Sequence, residues 1–300
     1  MKLQLKAIVP YLLLLTGPSS SWSDEVLLSD LKKVGEGFQF TEGPVWDGKS
    51  FIFSDIPENK AFVWDGTSVH VFNNPSHYSN GRTKMKDGSI VSAHHDRTVR
   101  IYKNKELKII ANKYKGQKLN SPNDVIVDSQ DRIYFTDPIY GIAYKGFGPK
   151  QEKEEQSKRG IYRLDADQSV HLLNGDLTLP NGLAFSPGEK FLYVADSSNS
   201  VIYRFEVTKD KQIQGKTPWV VLNKGEGNIV DGLKVDLQGN VYVAVGKGIV
   251  VLSPEGKILQ DFLVAKDAVA NLAFGGVDGK TLFITASKQI YTAKTKHAGL

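Results

Sequence analysis

Residues 181–185 read Asn-Gly-Leu-Ala-Phe, a polar residue and a glycine followed by an apolar stretch typical of a strand. Related stretches occur at Glu42-Gly43-Pro44-Val45-Trp46, Asn80-Gly81-Arg82-Thr83, Asn123-Asp124-Val125-Ile126-Val127, Asp231-Gly232-Leu233-Lys234-Val235 and Asn271-Leu272-Ala273-Phe274. Successive starts are 38, 43, 58, 50 and 40 residues apart, and a turn and a second apolar stretch follow each one. A repeat of about 40–50 residues is typical of the four-stranded unit of a β-propeller.

The sequence therefore predicts an all-β fold, a six-bladed β-propeller with four-stranded antiparallel blades around a central channel. One such unit cannot bury both of its faces, so neighbours must stack, and closing the ring protects the sheet edges. No amphipathic helical pattern of about 10–15 residues separates the strands, which argues against a parallel α/β fold. The longest step contains residues 143–160, a polar stretch that we interpret as a long loop or, alternatively, as a substrate lid.

The first 23 residues are organised like a signal peptide. Lys2 and Lys6 precede an apolar stretch that ends in four leucines, and small residues follow it. The apolar stretch is shorter than the about 20 residues of a membrane-spanning helix. An uncleaved anchor or a buried first strand is the alternative. We expect residues 1–23 to be removed and residues 24–300 to form a single propeller domain, periplasmic or secreted, without stable membrane association.

The composition excludes several kinds of chemistry. The 300 residues contain no cysteine, which excludes disulfides, iron–sulfur clusters, a cysteine nucleophile and cysteine-bound zinc. The net charge of +5 falls to +3 without residues 1–23, and no basic stripe is interleaved with aromatics, so nucleic-acid binding is not expected. The Gly-x-Ser-x-Gly and His-Glu-x-x-His patterns of serine hydrolases and zinc peptidases are missing from the sequence.

In a propeller the first strand of each unit lines the channel, so the polar residues that begin the repeats should converge on one axis. They are Glu42, Asn80, Asn123, Asn181, Asp231 and Asn271. Their carboxylate and amide oxygens suit a hard divalent cation, Ca²⁺ first, with Mg²⁺, Mn²⁺ or Zn²⁺ as alternatives. Asn and Asp also favour turns at strand starts, and for Asn80 and Asn271 we adopt this structural interpretation.

The order and spacing of several motifs resemble the SMP-30/gluconolactonase family of six-bladed propellers. That family includes regucalcin, calcium-dependent phosphotriesterases of the diisopropylfluorophosphatase type and staphylococcal lactonases. The resemblance covers about residues 35–293, almost the whole mature chain. The motifs are Thr41-Glu42-Gly43-Pro44-Val45-Trp46, Ser121-Pro122-Asn123-Asp124-Val125, Tyr134-Phe135-Thr136-Asp137-Pro138, Leu179-Pro180-Asn181-Gly182-Leu183-Ala184-Phe185, Tyr193-Val194-Ala195-Asp196, Asp231-Gly232-Leu233 and Asn271-Leu272-Ala273-Phe274-Gly275-Gly276.

The resemblance implies a catalytic divalent cation held by Glu42, Asn181 and Asp231, with Asn123 as a further ligand or a substrate contact. The chain also departs from its relatives. Regucalcin-like members carry an arginine where this chain has Ser121, which puts recognition of a polyhydroxy lactone by that arginine in doubt. Gly232, and the lack of histidine between residues 171 and 297, argue against the second, structural calcium of the phosphotriesterase members.

The predicted function is a metal-dependent lactonase, gluconolactonase-like, acting on a small-molecule sugar lactone or a related lactone. Asp231 would be the base for the attacking water, or alternatively the nucleophile. Arg82 and Tyr140 are candidates for the substrate mouth. His95, next to His94, is a candidate base or substrate contact, or alternatively a structural turn histidine. A phosphotriesterase on the same metal, and a non-catalytic propeller that binds a ligand or partner, are the alternative functions.

Overall fold

The computed structural model describes residues 26–27, 29–222, 225 and 227–300 of the chain. The predicted signal peptide, residues 1–23, lies outside the described residues. Within the described ranges, no helix has both the length and the apolar character needed to cross a bilayer.

The described residues form mostly short strands joined by turns. In chain order the strands are β1 (Lys32–Trp46), β2 (Phe51–Asp55), β3 (Lys60–Trp64), β4 (Val69–Asn73), β5 (Ser79–Lys84), β6 (Ile90–His94), β7 (Thr98–Lys103), β8 (Glu106–Ala111), β9 (Lys113–Tyr114), β10 (Gln117–Lys118), β11 (Val125–Val127), β12 (Ile133–Asp137), β13 (Gly160–Leu164), β14 (Val170–Asn174), β15 (Pro180–Phe185), β16 (Phe191–Asp196), β17 (Val201–Val207), β18 (Ile213–Val221), β19 (Val230–Val235), β20 (Val241–Val245), β21 (Gly248–Leu252), β22 (Ile258–Leu263), β23 (Asn271–Gly275) and β24 (Thr281–Lys294). The helices in the same ranges are the single turns α1 (Tyr140–Ala143) and the 3-10 helix Pro187–Glu189.

The strands form antiparallel sheets whose order follows the chain. Four sheets have four strands each: β5–β8, β11–β14, β15–β18 and β19–β22. A fifth has six strands in the order β23-β24-β1-β2-β3-β4, and β9 and β10 form a separate hairpin. The prediction of an all-β propeller is confirmed, but the prediction of six separate four-stranded blades is wrong, because the described residues form five multi-stranded sheets.

The length of β1 explains why the described residues form five multi-stranded sheets and not six. Its first half, from Lys32 to Glu36, pairs with β24, and its second half, from Thr41 to Trp46, pairs with β2. The repeat that begins at Asn271 and the repeat that begins at Glu42 therefore share one sheet.

The first strands of the repeats surround a central channel. Along the ring of these inner strands, each one contacts the next, and the last contacts the first. In the described chain the inner strands are β1, β5, β11, β15, β19 and β23. The core lies between neighbouring sheets: Tyr134 of β12 packs edge-on against Phe185 of β15, and Tyr242 of β20 against Phe274 of β23, both with ring centroids 5.0 Å apart. Burial of these large rings holds neighbouring sheets together.

The polar-glycine pairs of the repeat mark the closest approaches between inner strands. A Cβ on Gly182 would lie 2.6 Å from the carbonyl oxygen of Asp231, and a Cβ on Gly232 would lie 2.2 Å from Oδ1 of Asn271. Next to the polar residue that begins the repeat, strand pairing is also interrupted, as in a β-bulge. This interruption occurs in β1, β5, β15 and β19. Glycine is thus required sterically beside the polar residue, and the bulge changes the direction of the polar side chain.

Buried aspartates at the ends of the second strands fix where inner strands begin. Asp55 Oδ1 accepts a hydrogen bond from the backbone N–H of Phe40 (3.0 Å), two residues before Glu42. Asp196 Oδ1 accepts one from Leu179 (3.0 Å), two residues before Asn181. The aspartate that ends the Tyr193–Asp196 motif is therefore structural, and it positions a predicted metal ligand.

Candidate functional site

The six polar residues that begin the repeats lie at the same end of the inner strands, around the channel. All are buried except Asp231, which is half-buried. Oε2 of Glu42 accepts hydrogen bonds from the N–H of Gly43 (2.6 Å) and from the Asn271 amide (3.1 Å). Asn271 therefore holds Glu42 in place across the point where the ring closes. The interpretation of Asn271 as purely structural is incomplete, because its amide positions a predicted ligand.

Several of these residues carry oxygen atoms that are buried and unpaired. Oδ1 of Asn80, Oδ1 of Asn181 and Oδ1 of Asp231 have no hydrogen-bond partner among the described residues. The Asn181 amide group donates to Ser197 Oγ (3.0 Å), which leaves its carbonyl oxygen as the unpaired end. An unsatisfied buried polar atom costs about 1–3 kcal/mol, so each one requires an explanation. Oxygen atoms that accept nothing from the protein are suited to a cation.

The two carboxyl groups of the predicted metal site have strongly raised pKa values. Burial raises the pKa of Glu42 to about 7, and the charge of Asp124 adds to the shift. Burial also raises the pKa of Asp231 well above its ordinary range, and the charge of Glu42 raises it further. Because each carboxylate disfavours ionisation of the other, Glu42 and Asp231 belong to one electrostatic cluster. A divalent cation between them would favour the ionised form of both.

The donor set fits a hard divalent cation. Within the described ranges, no three His, Asp or Glu side chains converge in a way that could hold a metal ion. The predicted ligands Glu42, Asn181 and Asp231, with Asn123, combine carboxylates with amides, and Ca²⁺ and Mg²⁺ accept such all-oxygen sets. The unpaired oxygens of Asn181 and Asp231 are the observation that supports this fit.

Asn123 is held at the site by its main chain. Its N–H donates to the carbonyl oxygen of Thr136 (2.9 Å), and its own carbonyl oxygen accepts from Gly81 N–H (2.8 Å). Its side chain is buried at the channel. The geometry agrees with either role that the sequence left open, metal ligand or substrate contact.

Asp124 is a functional candidate that the sequence analysis missed. Its buried side chain pairs with Lys234 Nζ at 3.3 Å, and its charge raises the pKa values of both Glu42 and Asp231. A sequence signal was present: most of the repeats have glycine after the polar residue, whereas this repeat has aspartate. The available indication was therefore an ionisable residue at a position where most of the repeats have glycine.

The histidine pair is buried and bound to protein groups. His95 Nε2 lies 3.1 Å from the Asn80 amide, and its Nδ1 lies 2.7 Å from the carbonyl oxygen of Phe147. Burial lowers the pKa of His95 to about 4, so the ring is neutral near pH 7. His94 instead contacts Ser92 Oγ (2.7 Å) and the carbonyl oxygen of His77 (3.2 Å). The structure therefore places His95, not His94, at the edge of the site, and its substrate-binding role stays a prediction.

Tyr140 lies close to the predicted ligands, and the guanidinium of Arg82 bonds to main-chain carbonyls. The Tyr140 hydroxyl is 3.5 Å from the Asn181 amide nitrogen, and burial together with the Asp231 charge raises its pKa. The buried Arg82 guanidinium donates to the carbonyl oxygens of Gly43 (3.1 Å) and Asn80 (3.1 Å). Those bonds join the first two inner strands, which is a structural role, and a substrate contact for Arg82 stays a prediction.

Residues 143–160 pack against the rim of the site. The carbonyl of Phe147 contacts His95, and its ring lies edge-on to Phe40 at 5.2 Å. Further along, the Gln156 amide donates to three backbone carbonyls between Tyr114 and Lys118. These bonds describe an anchored loop, and its action as a lid stays a prediction.

Ser121 supports α1. Its Oγ donates to the carbonyl oxygen of Pro138 (2.9 Å) and accepts from the N–H of Gly141 (3.0 Å). A Cβ on Gly141 would lie 2.4 Å from Cβ of His95, so the helix packs tightly on the channel rim. Ser121 thereby helps to place the neighbouring Tyr140.

A family model, curated relatives and solved structures each match most of the chain. A family model described as the SMP-30/Gluconolactonase/LRE-like region matches residues 40–288. The chain is 30% identical to a gluconolactonase of Zymomonas mobilis, covering 92% of this chain and 82% of that protein. It is 27% identical to regucalcin of Bos taurus, covering 82% and 83%. The solved structure of a gluconolactonase from Xanthomonas campestris superposes with a TM-score of 0.84 at 26% identity, covering 92% of this chain and 93% of that one.

Proposed function

The chain belongs to the SMP-30/gluconolactonase/LRE-like family, and on that premise we propose that it is a lactonase that uses a divalent cation. The observation that carries the proposal is the pair of buried, unpaired oxygens on Asn181 and Asp231. They belong to the same electrostatic cluster as Glu42, whose pKa burial raises to about 7. A bound cation would satisfy these oxygens.

The cation would be held by Glu42, Asn181 and Asp231, with Asn123 as a fourth ligand or a substrate contact. We propose Ca²⁺, because every donor is a hard oxygen. When bound, such a cation polarises a lactone carbonyl and stabilises the negative charge that develops on its oxygen.

The protein side chains supply the proton transfers. Asp231 accepts a proton from the attacking water, whose oxygen forms the new bond to the lactone carbonyl carbon. The ring C–O bond then breaks, and the proton passes from Asp231 to the ring oxygen, which leaves as a hydroxyl group. The Tyr140 hydroxyl, kept protonated by its raised pKa, can donate a hydrogen bond to the substrate beside Asn181.

We also propose that the six-stranded sheet represents two blades. Strands β2 and β24 flank β1, so in a flat sheet they would be about 9.5 Å apart. The rings of Phe51 on β2 and Phe283 on β24 instead stack with centroids 4.6 Å apart. This contact supports a sheet that folds at β1 into two packed layers, one for each repeat.

For the amino-terminal region we propose export. Residues 1–23 carry the basic, apolar and small-residue segments of a signal peptide. Residues 24–300 would then act as a single propeller domain in the periplasm or outside the cell. Detection of the amino terminus of the purified mature protein by mass spectrometry tests this directly, and a chain that retains residues 1–23 would contradict it.

A substrate panel tests the proposed activity. We expect the purified protein, supplied with Ca²⁺, to open sugar lactones. A pH indicator measures the acid that ring opening releases. Paraoxon, a phosphotriester, is the comparison substrate for the alternative chemistry on the same site. Paraoxon turnover that exceeds turnover of every lactone would assign the site to phosphotriester hydrolysis, and no turnover of any substrate would favour a binding role.

Calcium affinity should depend on pH in a defined direction. The pKa of Glu42 in the metal-free protein is about 7, so its carboxyl group gains a proton as the pH falls through this range, and the raised pKa of Asp231 acts in the same direction. Ca²⁺ must displace those protons, so its affinity should weaken several-fold to about tenfold between about pH 8 and about pH 6. Calorimetry in two buffers of different ionisation enthalpy measures both the affinity and the proton release. A constant affinity without proton release would contradict this account.

A further inference from the structure

An ion pair crosses the channel directly beside the candidate metal site. Lys234 lies on β19, three residues after Asp231, and its Nζ reaches Oδ2 of Asp124 at 3.3 Å. Strand β15 lies between their two strands in the ring, so this bond joins inner strands that are not neighbours. The side chain of Asp124 is 2% exposed and that of Lys234 is 19% exposed, so solvent screens the pair weakly.

Both partners are held by further bonds to the protein. Oδ1 of Asp124 accepts from the N–H of Val125 (2.9 Å), and Nζ of Lys234 also donates to the carbonyl oxygen of Leu233 (3.0 Å). A Cβ on Gly81 would lie 2.3 Å from Oδ1 of Asp124, so glycine at this position makes room for the carboxylate. The pair is therefore a built feature of the ring.

Lys234 stands between the candidate site and a separate cavity. A cavity of about 490 Å³ opens at the other end of the channel, and its walls include Lys234, Val125, Ala184 and Ala273 from different inner strands. The carboxylates of Glu42 and Asp231 lie on the opposite side, at the starts of their repeats. Lys234 thus lines this cavity and at the same time pairs with Asp124, the residue that follows the candidate ligand Asn123.

We propose that Lys234 is a resident counter-ion: its ammonium group pairs with Asp124, so that this carboxylate does not bind the divalent cation and its negative charge at the site is partly offset. The inference rests on the proposed function, because it concerns the cation that this function requires. The charge of Lys234 also favours the ionised form of Glu42, and the buried Arg82, which lines the same cavity as Lys234, bonds to none of the three carboxylates.

Variants that change the net charge of the channel by one unit in either direction test this proposal. Relative to the wild type, Lys234→Met makes the channel more negative by one charge and Asp124→Asn makes it less negative by one. The double variant has the wild-type net charge. Because a unit charge near a divalent cation interacts strongly where the effective dielectric constant is low, each single variant should shift the Kd for Ca²⁺ by at least about tenfold. The expected order of affinity is Lys234→Met tightest, wild type and double variant alike, and Asp124→Asn weakest.

Calorimetric titration of each metal-free variant with Ca²⁺ measures this order. A merely structural role for Lys234 predicts the opposite, weaker or unchanged binding in Lys234→Met, and that result would overturn the proposal. If Lys234→Met does not fold, Asp124→Asn and the double variant still decide, because only the counter-ion account makes the double variant recover wild-type affinity.

Thermal unfolding in EDTA separates this inference from the proposed function. Without metal, Lys234→Met should unfold at a lower temperature than the wild type, because Asp124 is then buried and unpaired, and Asp124→Asn should restore part of the loss. If the wild type binds no Ca²⁺ but this recovery is seen, the metal proposal fails while the ion pair stands. If the stability losses simply add, the pairing has no energetic weight and the counter-ion role is wrong.

Discussion

Asp231→Asn is expected to abolish lactone hydrolysis while the protein remains folded. The amide keeps an oxygen at the position of the unpaired Oδ1 but loses the negative charge and the basic lone pair. Loss of a general base typically costs about 10²–10⁴ in rate, and weaker binding of the cation adds to that cost. Initial rates at saturating Ca²⁺, together with circular dichroism, measure the effect. The substitution also removes the repulsion between the Glu42 and Asp231 carboxylates, so the free energy of unfolding should not decrease.

The matched control for this variant is Asp236→Asn. Asp236 follows the opposite end of the same inner strand and is fully buried, but its oxygens accept bonds from the N–H groups of Gln238 (2.9 Å) and Asn240 (2.9 Å) within a turn. That substitution should lower stability and leave the rate per folded molecule unchanged. Near-wild-type turnover by Asp231→Asn would remove Asp231 from the mechanism and turn attention to His95.

Removal of divalent cations should eliminate activity as completely as Asp231→Asn does. Without a cation, burial raises the pKa of Glu42 to about 7 and that of Asp231 above its ordinary range, and no cation polarises the lactone carbonyl. We expect EDTA-treated and desalted protein to lose at least about 99% of its lactone turnover, a loss at the lower limit of an electrostatic or base contribution. Residual metal is measured by elemental analysis on the same sample.

Adding divalent cations back to the metal-free protein provides the control for metal removal. Ca²⁺ should restore activity most fully, and Mg²⁺, Mn²⁺ and Zn²⁺ added to separate samples rank the alternatives. Protein that remains fully active with less than about one-tenth of an equivalent of metal would exclude a metal-dependent mechanism.

The repeat made much of the architecture predictable. The six polar residues that begin the repeats do lie around one channel, because a four-stranded unit with an inner first strand places equivalent positions on one axis. The number of separate sheets was not predictable, since it depends on β1 pairing with β24 at its first half and with β2 at its second. The repeat spacing does not indicate that one strand continues through two repeats.

The contacts that complete the site depend on ring closure. The bond between Asn271 and Glu42 joins residues 229 positions apart, and the pair of Asp124 and Lys234 joins residues 110 apart. Pattern and composition identify each residue as polar or charged but do not indicate which distant partner it meets. For the same reason the bonds by which Arg82 joins two inner strands were not predictable. Its bonding partners become neighbours only when the ring is assembled.

The most direct measurement of the central claim is an anomalous difference map from crystals loaded with Mn²⁺, an electron-rich substitute for Ca²⁺. The account predicts one strong peak on the channel axis, about 2.1–2.6 Å from side-chain oxygens of Glu42, Asn181 and Asp231. A map in which the peak lies elsewhere, or in which these three side chains contact no metal at full loading, would contradict the assignment of the site.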